Sequence, residues 1–504
     1  MQSLRSANGP KRRTEWQAIP WRKAFRLVRN LRQRIFRASS KGEHKKVRSL
    51  QKLMLRSYSN ILLSVRRVTQ VNKGKNTPGV DKMVVKTPSA RGQLTDQLST
   101  FTPWQAKPAR RVYIPKSNGK QRPLGIPVVI DRCLQAMVKN ALEPEWEAKF
   151  EGSSYGFRPG RSCHDAIERI FKFACANKRK KWVLDADIKG AFDRIRHSAI
   201  MDRLIAPRSI KQGIFRCLKA GVNPEFPEQG TPQGGVASPL LANIALNGIE
   251  EIHRSVRYAD DMVIILKLQD DADEILGKIS QFLAERGMNV SEKKTKLTAT
   301  TDGFDFLGWH FKVQRNGKSR CIPSTDNFKT FRQKVKHIVN NSNYGATIKA
   351  IKLAPVVRGW RNYHRFCKMD GSRFSLYHIQ NRTFKVFNKE AKQNRHTSKK
   401  LLDKAFPSVP YSENKHVMVK GNKSPFDGDI AYWSERNSKL YDGKTSKALK
   451  RQNHSCGYCG LKMLSDEKVH LHHVDGNHDN WKNNNLLALH ESCHDYIHMS
   501  KSES

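Results

Sequence analysis

A chain of 504 residues with 38% apolar content is long enough for about three domains and carries enough core-forming side chains to exclude wholesale disorder. Its 93 Lys and Arg against 45 Asp and Glu leave a formal net charge of +48, which calls for a large polyanionic partner, most simply nucleic acid bound with a steep salt dependence. No apolar run approaches the ~20 residues needed to span a bilayer, so no membrane role is expected.

The nine cysteines stand singly apart from Cys456 and Cys459, and the start lacks the apolar core of a secretory signal. A reducing, intracellular setting is expected. The first 75 residues read as mostly helical, over 16–38 and again over 45–71. In the first helix Trp21, Phe25, Val28, Leu31 and Ile35 recur at helical spacing while Arg22, Lys23, Arg26 and Arg29 fill the other face. That pattern fits a basic amphipathic helix lying on RNA; the alternative is an Arg-rich organellar transit peptide. Residues 72–81 break it as a turn-rich basic loop.

Residues 111–115 and 122–127 read as two short strands about a Ser117-Asn118-Gly119 turn. Such a hairpin could lay Lys120 and Arg122 over a triphosphate, Arg being suited to bidentate phosphate contact; two solvated surface charges are the plainer alternative. Helical spacing follows over 131–150 and, after an Arg158-Pro159-Gly160-Arg161 turn, over 163–176. Next comes a carboxylate-rich strand, Val183-Leu184-Asp185-Ala186-Asp187-Ile188-Lys189-Gly190-Ala191-Phe192-Asp193. Thr231-Pro232-Gln233-Gly234-Gly235 is a glycine loop ahead of a helical run over 239–252, suited to close approach of backbone to phosphate. Then Asp260 and Asp261 stand between Tyr258 and the apolar run Met262-Val263-Ile264-Ile265-Leu266. An isolated Asp-Asp pair is most often a solvated turn, but this run reads as a buried strand. If it pairs with the Asp187 strand, Asp187, Asp260 and Asp261 could hold two hard divalent cations in oxygen cages, the arrangement used for in-line nucleotidyl transfer. An amphipathic helix over 273–287 and a charged run over 291–297 follow. Lys296 stands between two readings, a contact to pyrophosphate and a solvated face.

Tyr258-Ala259-Asp260-Asp261 resembles the active-site box of reverse transcriptases. Four further stretches resemble, in the same order, those of group II intron-encoded proteins: 113–127, Ser154-Tyr155-Gly156-Phe157-Arg158-Pro159-Gly160-Arg161-Ser162, 230–243, and Phe304-Asp305-Phe306-Leu307-Gly308-Trp309-His310. Basic helices carrying aromatics over 325–400 suit a thumb that tracks a duplex, with Phe328, Phe331, Val335, Ile348, Ile351, Val356 and Trp360 at helical spacing. Residues 357–364 resemble the most recognisable segment of the maturase domain. The resemblance implies an α+β multidomain chain built as a right-hand polymerase. It would divide into a basic helical extension (1–80), fingers and palm (81–315), a helical thumb or maturase domain (316–410), a polar linker with a DNA-binding region (411–450) and a small nuclease domain (451–504). It also implies two Mg2+ ions bridged by Asp187 and Asp260 with Asp261 as an outer ligand, Arg122 on the triphosphate, and Gln233 on the incoming nucleotide or template base. Phe192 falls where the family places an aromatic beneath the incoming sugar. A ring there collides with a 2′-hydroxyl and selects dNTPs; plain core is the alternative. The implied partners are group II intron RNA, target DNA and dNTPs, with a homodimer left open. The implied setting is a bacterial cytoplasm beside the nucleoid, or an organelle.

At the C-terminal end, Cys456-x-x-Cys459 and His490-x-x-Cys493 are two knuckle-like pairs suited to one tetrahedral structural Zn2+. Between and after them lie His472, His473, Asn485, His494 and His498, a pattern that resembles the His-Asn-His nucleases, with their zinc-stabilised ββα-metal fold. In that family's terms His472, His494 and His498 would ligate one divalent cation, His473 would be the general base and Asn485 would orient it. His490 stands where that family usually has Cys. His470 and His478 read as surface residues. Two function classes compete: a polymerase with an appended nuclease, and a splicing maturase that keeps the scaffold without the chemistry. A decayed maturase should have lost at least one of Asp187, Asp260, Asp261, His473 and His494, and all are present. An RNA-copying RNA polymerase is disfavoured by Phe192 and by the nuclease pattern.

Overall fold

The computed structural model describes residues 13–100, 103–115, 121–175, 181–220, 228–292, 295–367, 376–390, 394–409, 416–441, 443–464 and 468–500. Helix α1 (Trp21–Ser40) buries Ala24, Val28, Leu31, Ile35 and Ala38 and leaves Arg22, Lys23, Arg26, Arg34 and Arg37 exposed. The single helix expected over 45–71 is three pieces: α2 (His44–Arg56), α3 (Tyr58–Arg66) and a π-turn (Arg67–Val71). The break falls at Ser57, whose extended backbone lets the polar Asn60 side chain donate to the carbonyls of Met54 and Met137. Helix α4 (Pro88–Ser99), capped by the Thr87 hydroxyl accepting from the Ala90 N–H at 3.2 Å, was not expected from the sequence. Its residues are largely polar or small, so no apolar stripe announces it. Both α1 and α2 lie against α5 (Val129–Glu147). There the Ser39 hydroxyl donates to the Glu145 carbonyl and the Gln51 amide to the Glu145 carboxylate.

The largest sheet among the described residues is a five-stranded antiparallel one. Strands β1 (Arg110–Pro115) and β2 (Gln121–Ile126) form the expected hairpin apart from it. The sheet itself has β3 (Trp182–Lys189) at its centre, flanked on one side by β5 (Asp261–Leu266) and then β4 (Ser255–Tyr258), and on the other by β6 (Asn289–Val290) and β7 (Lys296–Ala299). Leu184, Ala186 and Ile188 face one core with Met262, Ile264 and Leu266, while Val183, Val263 and Ile265 face a second core with helix α6 (Cys163–Cys175). Strands β8 (Phe304–Phe306), β9 (Trp309–Val313) and β10 (Ser319–Pro323) make a small sheet on that second core.

Helices Thr325–Val339, Ala346–Tyr363, Tyr377–Glu390 and Arg395–Ala405 share one core of Phe331, Val335, Leu353, Val357, Trp360 and Phe387. Ile348 and Ile351, expected to belong to it, are 47% and 53% exposed. The buried face instead runs through Lys349, Ala350 and Leu353, because the Lys349 ammonium is drawn inward to the Glu390 carboxylate.

The stretch expected to run as a polar linker is folded in its described part, with helices Ile430–Lys439 and Gly443–Arg451. Buried charge joins apolar burial of Val419, Phe426 and Trp433 in holding it. The Asp165 carboxylate of α6, fully buried, accepts from the Arg436 guanidinium at 2.8 and 3.0 Å, from His416 Nε2 at 3.1 Å and from the Val419 N–H at 2.9 Å. Arg436 also donates to the Gly160 carbonyl, and a Cβ at Gly160 would lie 2.6 Å from the Trp433 ring. Burial opposes the Asp165 charge, but the His416 hydrogen bond and the Arg436 cation outweigh it and hold the carboxyl well below the usual range. A lowered folded pKa contributes stability that is complete above the ordinary Asp value of about 3.9 and fades as the pH falls toward the folded value. Removing one partner of a buried pair costs on the order of 3–5 kcal/mol. Asp165→Asn should therefore lower stability by that order at neutral pH, and by progressively less below pH ~4, as read by chemical denaturation across the acid range. An unchanged unfolding midpoint at neutral pH would refute this reading.

Candidate functional site

Two of the three carboxylates expected to act together, Asp187 and Asp261, stand opposite each other at one end of the five-stranded sheet, and Asp260 lies in the adjoining turn. Tyr258 pairs with Asp261 across the β4–β5 hairpin, so Ala259 and Asp260 form its two-residue turn. Ala259 takes a positive φ of 60°, the sign that the primed turns of tight hairpins require. In the β3–β5 register Asp187 stands directly opposite Asp261, and Asp185 opposite Val263. Residues directly opposite share a face, so Asp187 and Asp261 project to the same side. The turn is tied to β3 by the Ile188 N–H donating to the Asp260 carbonyl at 3.3 Å, and the Asp187 carbonyl accepts from the Ser291 N–H at 2.8 Å. Lys296 stands opposite Asp185, one register step from the carboxylate pair. Carboxylate oxygens are the donor type that a hard divalent cation takes.

Three further segments gather beside this end. Strand β3 stops at Lys189, Gly190 turns at φ +59°, and Phe192 falls on the helical turn Ala191–Arg194 rather than in the strand where it was expected. The Thr231 N–H donates to the Phe192 carbonyl at 2.7 Å, and the Gly125 N–H of β2 donates to the Gln233 carbonyl at 3.0 Å. The Gln233 amide reaches Asp193 at 3.3 Å. Phe192 and Gln233 are thus neighbours, locked to the hairpin. Arg122 lies on β2 opposite Ile114, its side chain outside the described residues; Lys120 lies wholly outside them. Phe157, which was not singled out, meets the Phe192 ring edge-on at 6.0 Å and is 48% exposed at φ +60°. Its signal was a bulky ring between Gly156 and the buried Arg158.

The second cluster is a ββα unit, with β11 (Val469–His473) paired to β12 (Leu486–His490), which runs into the helix Glu491–Ser500. Cys456, Cys459, His490 and Cys493 bring one ligand atom each to within 4.8 Å of one another, and so do His472, His494 and His498. His490 turns Nδ1 toward Cys459 at 3.4 Å and Cys493 at 3.9 Å. Contacts from the Cys459 and Cys493 thiols push Cys456 down, while contacts from Cys456 and Cys459 push Cys493 up. Four soft donors crowded this way fit Zn2+. Burial, then the neighbouring imidazoles of His498, His470 and His472, lowers His494, which favours the neutral imidazole that metal ligation requires. His473 is buried, its Nε2 has no hydrogen-bond partner, and it packs edge-on to Trp481 at 4.9 Å. Asn485 does not reach that ring by a hydrogen bond in the structure. Its side chain exchanges bonds with Asp475 (2.8 Å to Oδ1, 3.0 Å from the N–H) and donates to the Asn480 carbonyl, fixing the loop that leaves His473. His470 and His478, read as surface residues, lie against His494 and His473 at 5.3 and 5.1 Å.

Three family models match in chain order. They are the N-terminal domain of reverse transcriptase over 16–98, reverse transcriptase (RNA-dependent DNA polymerase) over 114–311, and the group II intron maturase-specific domain over 328–406. Maturase-like protein 1 of Euglena gracilis is 36% identical over 462 residues, covering 89% of this chain and 98% of that protein. The group II intron-encoded protein LtrA of Lactococcus lactis is 31% identical over 290 residues, 42% of this chain and 48% of that protein. A telomerase structure from Candida albicans aligns at 14% identity over 60% of this chain and 61% of its own, with a TM-score of 0.31, too distant to carry an argument. A relative matched along nearly its whole length, together with three models in the same order, shows that the chain belongs to the group II intron reverse transcriptase and maturase family.

Proposed function

We propose that this protein copies RNA into DNA at the Asp187, Asp260 and Asp261 site, binds and folds a group II intron RNA, and nicks a DNA target at the His473 site to supply the primer. The observation that carries the polymerase reading is the register that sets Asp187 against Asp261 beside the Asp260 turn. Divalent cations held by these carboxylates would lower the pKa of a primer 3′-hydroxyl and stabilise the pyrophosphate leaving group. The chain's own part is positioning. Asp187 and Asp261 present oxygens from one face, Phe192 walls the sugar side and favours dNTPs, and Gln233 is held beside it on the glycine loop. Arg122 belongs to the same group through its place on β2. The exposed basic face of α1 and the helical unit after Pro323 suit the RNA backbone, which a net charge of +48 would bind with strong salt dependence.

The nuclease reading rests on the histidines of the ββα unit. His472, His494 and His498 would hold one cation that activates a phosphodiester, while the unpartnered Nε2 of His473 is placed to take a proton from water. Cys456, Cys459, His490 and Cys493 would hold a structural zinc and so fix the helix that carries His494 and His498.

Primer extension on an RNA template with dNTPs and Mg2+ tests the first part. Asp260→Ala should abolish DNA synthesis and leave RNA binding intact; synthesis that persists would remove the assignment. For the second part, His473→Ala should cut nicking of supercoiled DNA by roughly 10²–10⁴-fold with primer extension unaffected, and nicking at the wild-type rate would show that this ring is not the base. Chelation of zinc, or Cys456→Ser, should unfold the segment from Cys456 onward, seen as rapid proteolysis there while DNA synthesis continues. Retained protease resistance after chelation would argue against a structural metal.

A further inference from the structure

We infer that Arg257 is the positioning residue of the polymerase site, its buried guanidinium clamping the turn that carries Asp260 to the Ser154–Gly156 segment and to Asn243. The inference rests on the assignment of Asp187, Asp260 and Asp261 as the polymerase carboxylates.

Arg257 is 0% exposed, a placement that Arg tolerates only when its charge and donors are met. Its Nε donates to Glu250 Oε1 at 2.6 Å. One terminal nitrogen donates to Asn243 Oδ1 at 3.1 Å and to the Ala259 carbonyl at 3.2 Å, and the other donates to the Ser154 hydroxyl at 2.8 Å. The bond to Ala259 is the informative one. That residue holds a left-handed backbone, which is strained for a residue bearing a Cβ, and it directly precedes Asp260. The guanidinium therefore grips the strained residue of the carboxylate turn from beneath.

The backbone closes the same clamp. The Arg257 N–H donates to the Ser153 carbonyl at 3.1 Å and the Arg257 carbonyl accepts from the Tyr155 N–H at 2.9 Å. Asn243 spans the gap by donating to the Gly156 carbonyl at 2.9 Å. A Cβ on Gly156 would stand 2.2 Å from the Ala259 nitrogen, so only glycine lets this segment lie under the turn. Three stretches distant in sequence thus converge on one side chain.

None of these groups lies among the Mg2+-holding carboxylates, so their effect runs through geometry, where a misplacement of about 1 Å can cost on the order of 100-fold in rate. A lysine separates geometry from charge: it keeps the cation but lacks the planar fork that reaches four acceptors together. The test measures primer extension by the full chain for Arg257→Lys and Ser154→Ala, with Mg2+ and dNTP titrations, RNA affinity and thermal melting alongside. For Arg257→Lys the expected result is kcat lower by roughly 10–100-fold, half-saturating Mg2+ raised, and the KM for dNTP and RNA affinity unchanged. Ser154→Ala should move kcat and Mg2+ dependence the same way by less. A wild-type kcat and Mg2+ response in Arg257→Lys overturns the inference, and so does a fall in melting temperature and RNA affinity that accounts for the lost rate. If Arg257→Lys does not fold, Ser154→Ala decides, since it removes one hydroxyl, and wild-type kinetics there overturn the clamp. Asp260→Ala run in parallel separates the two readings. Synthesis by that variant removes the polymerase assignment and the clamp with it, whereas an inert Asp260→Ala beside a wild-type-like Arg257→Lys removes the clamp alone.

Discussion

The structure depends on one pairing, the register of β3 against β5. It sets two carboxylates, Asp187 and Asp261, directly opposite each other, where like charges destabilise a sheet. What holds that register is the rest of β5: Met262 to Leu266 are all buried, alternating between two separate cores. A slip by one residue would turn every side chain of the strand to the opposite face, exchanging residues fitted to each core and separating the carboxylates. The apolar run beside the Asp-Asp pair therefore does more than mark a strand, because its burial on both faces fixes the relative placement of the charges at its end.

The same economy governs the acids elsewhere. Glu147, Glu250 and Asp165 are each buried and each bound by an arginine, Arg158, Arg257 and Arg436. Such pairs stabilise little in themselves, but breaking one strands an uncompensated charge, so they specify how segments meet. Drawing these acids inward also leaves the exterior with fewer negative groups than the composition implies. Helix α1 shows the complementary arrangement, in which an apolar stripe docks on α5 and the arginines between its stripe positions face outward. A basic surface is thereby held on a rigid scaffold instead of a loose tail, and an ordered array of cations suits a folded polyanion better than a flexible one because less entropy is lost on binding.

Much of this was legible because the signals were local. The fingers hairpin, the two strands that carry the carboxylates, the metal-spaced cysteines and histidines, and α1, α5 and α6 follow from periodicity, turn chemistry and ligand spacing. Two of the departures share a physical cause, long-range polar contact. Lys349 occupies a buried position that hydropathy would assign to Ile348 or Ile351, because Glu390 lies across the helix bundle from it. Residues 416–441 looked like a linker since their anchors are Arg436 and His416, which become interior residues only once Asp165 is placed beside them. Asn485 was expected at the His473 ring, yet its side chain organises the loop through Asp475. Spacing in sequence identifies which residues share a site but not which hydrogen bond each one makes there.

The segment 416–441 also bears on how the two chemical centres relate. It is bound to α6 through Asp165, and to the segment after Cys456 and Cys459 through Asn437, whose amide donates to the carbonyls of Met463 and Leu464 at 3.3 and 3.2 Å. Leu464 packs with Val419 and Trp433 in one buried cluster, and Trp433 in turn rests on Gly160, within the turn that leads into α6. Both faces of the segment are therefore engaged at once. A flexible tether would let a nuclease unit sample many positions relative to the palm, and the effective concentration of one site at the other would then follow linker length. Here the connection is a packed element with buried polar contacts on each side, so the ββα unit is held in a defined pose against the palm. If the ββα unit acts on nucleic acid as proposed, a fixed pose would set the distance between the two sites, and the Asp165 and Asn437 contacts are the ones that set it.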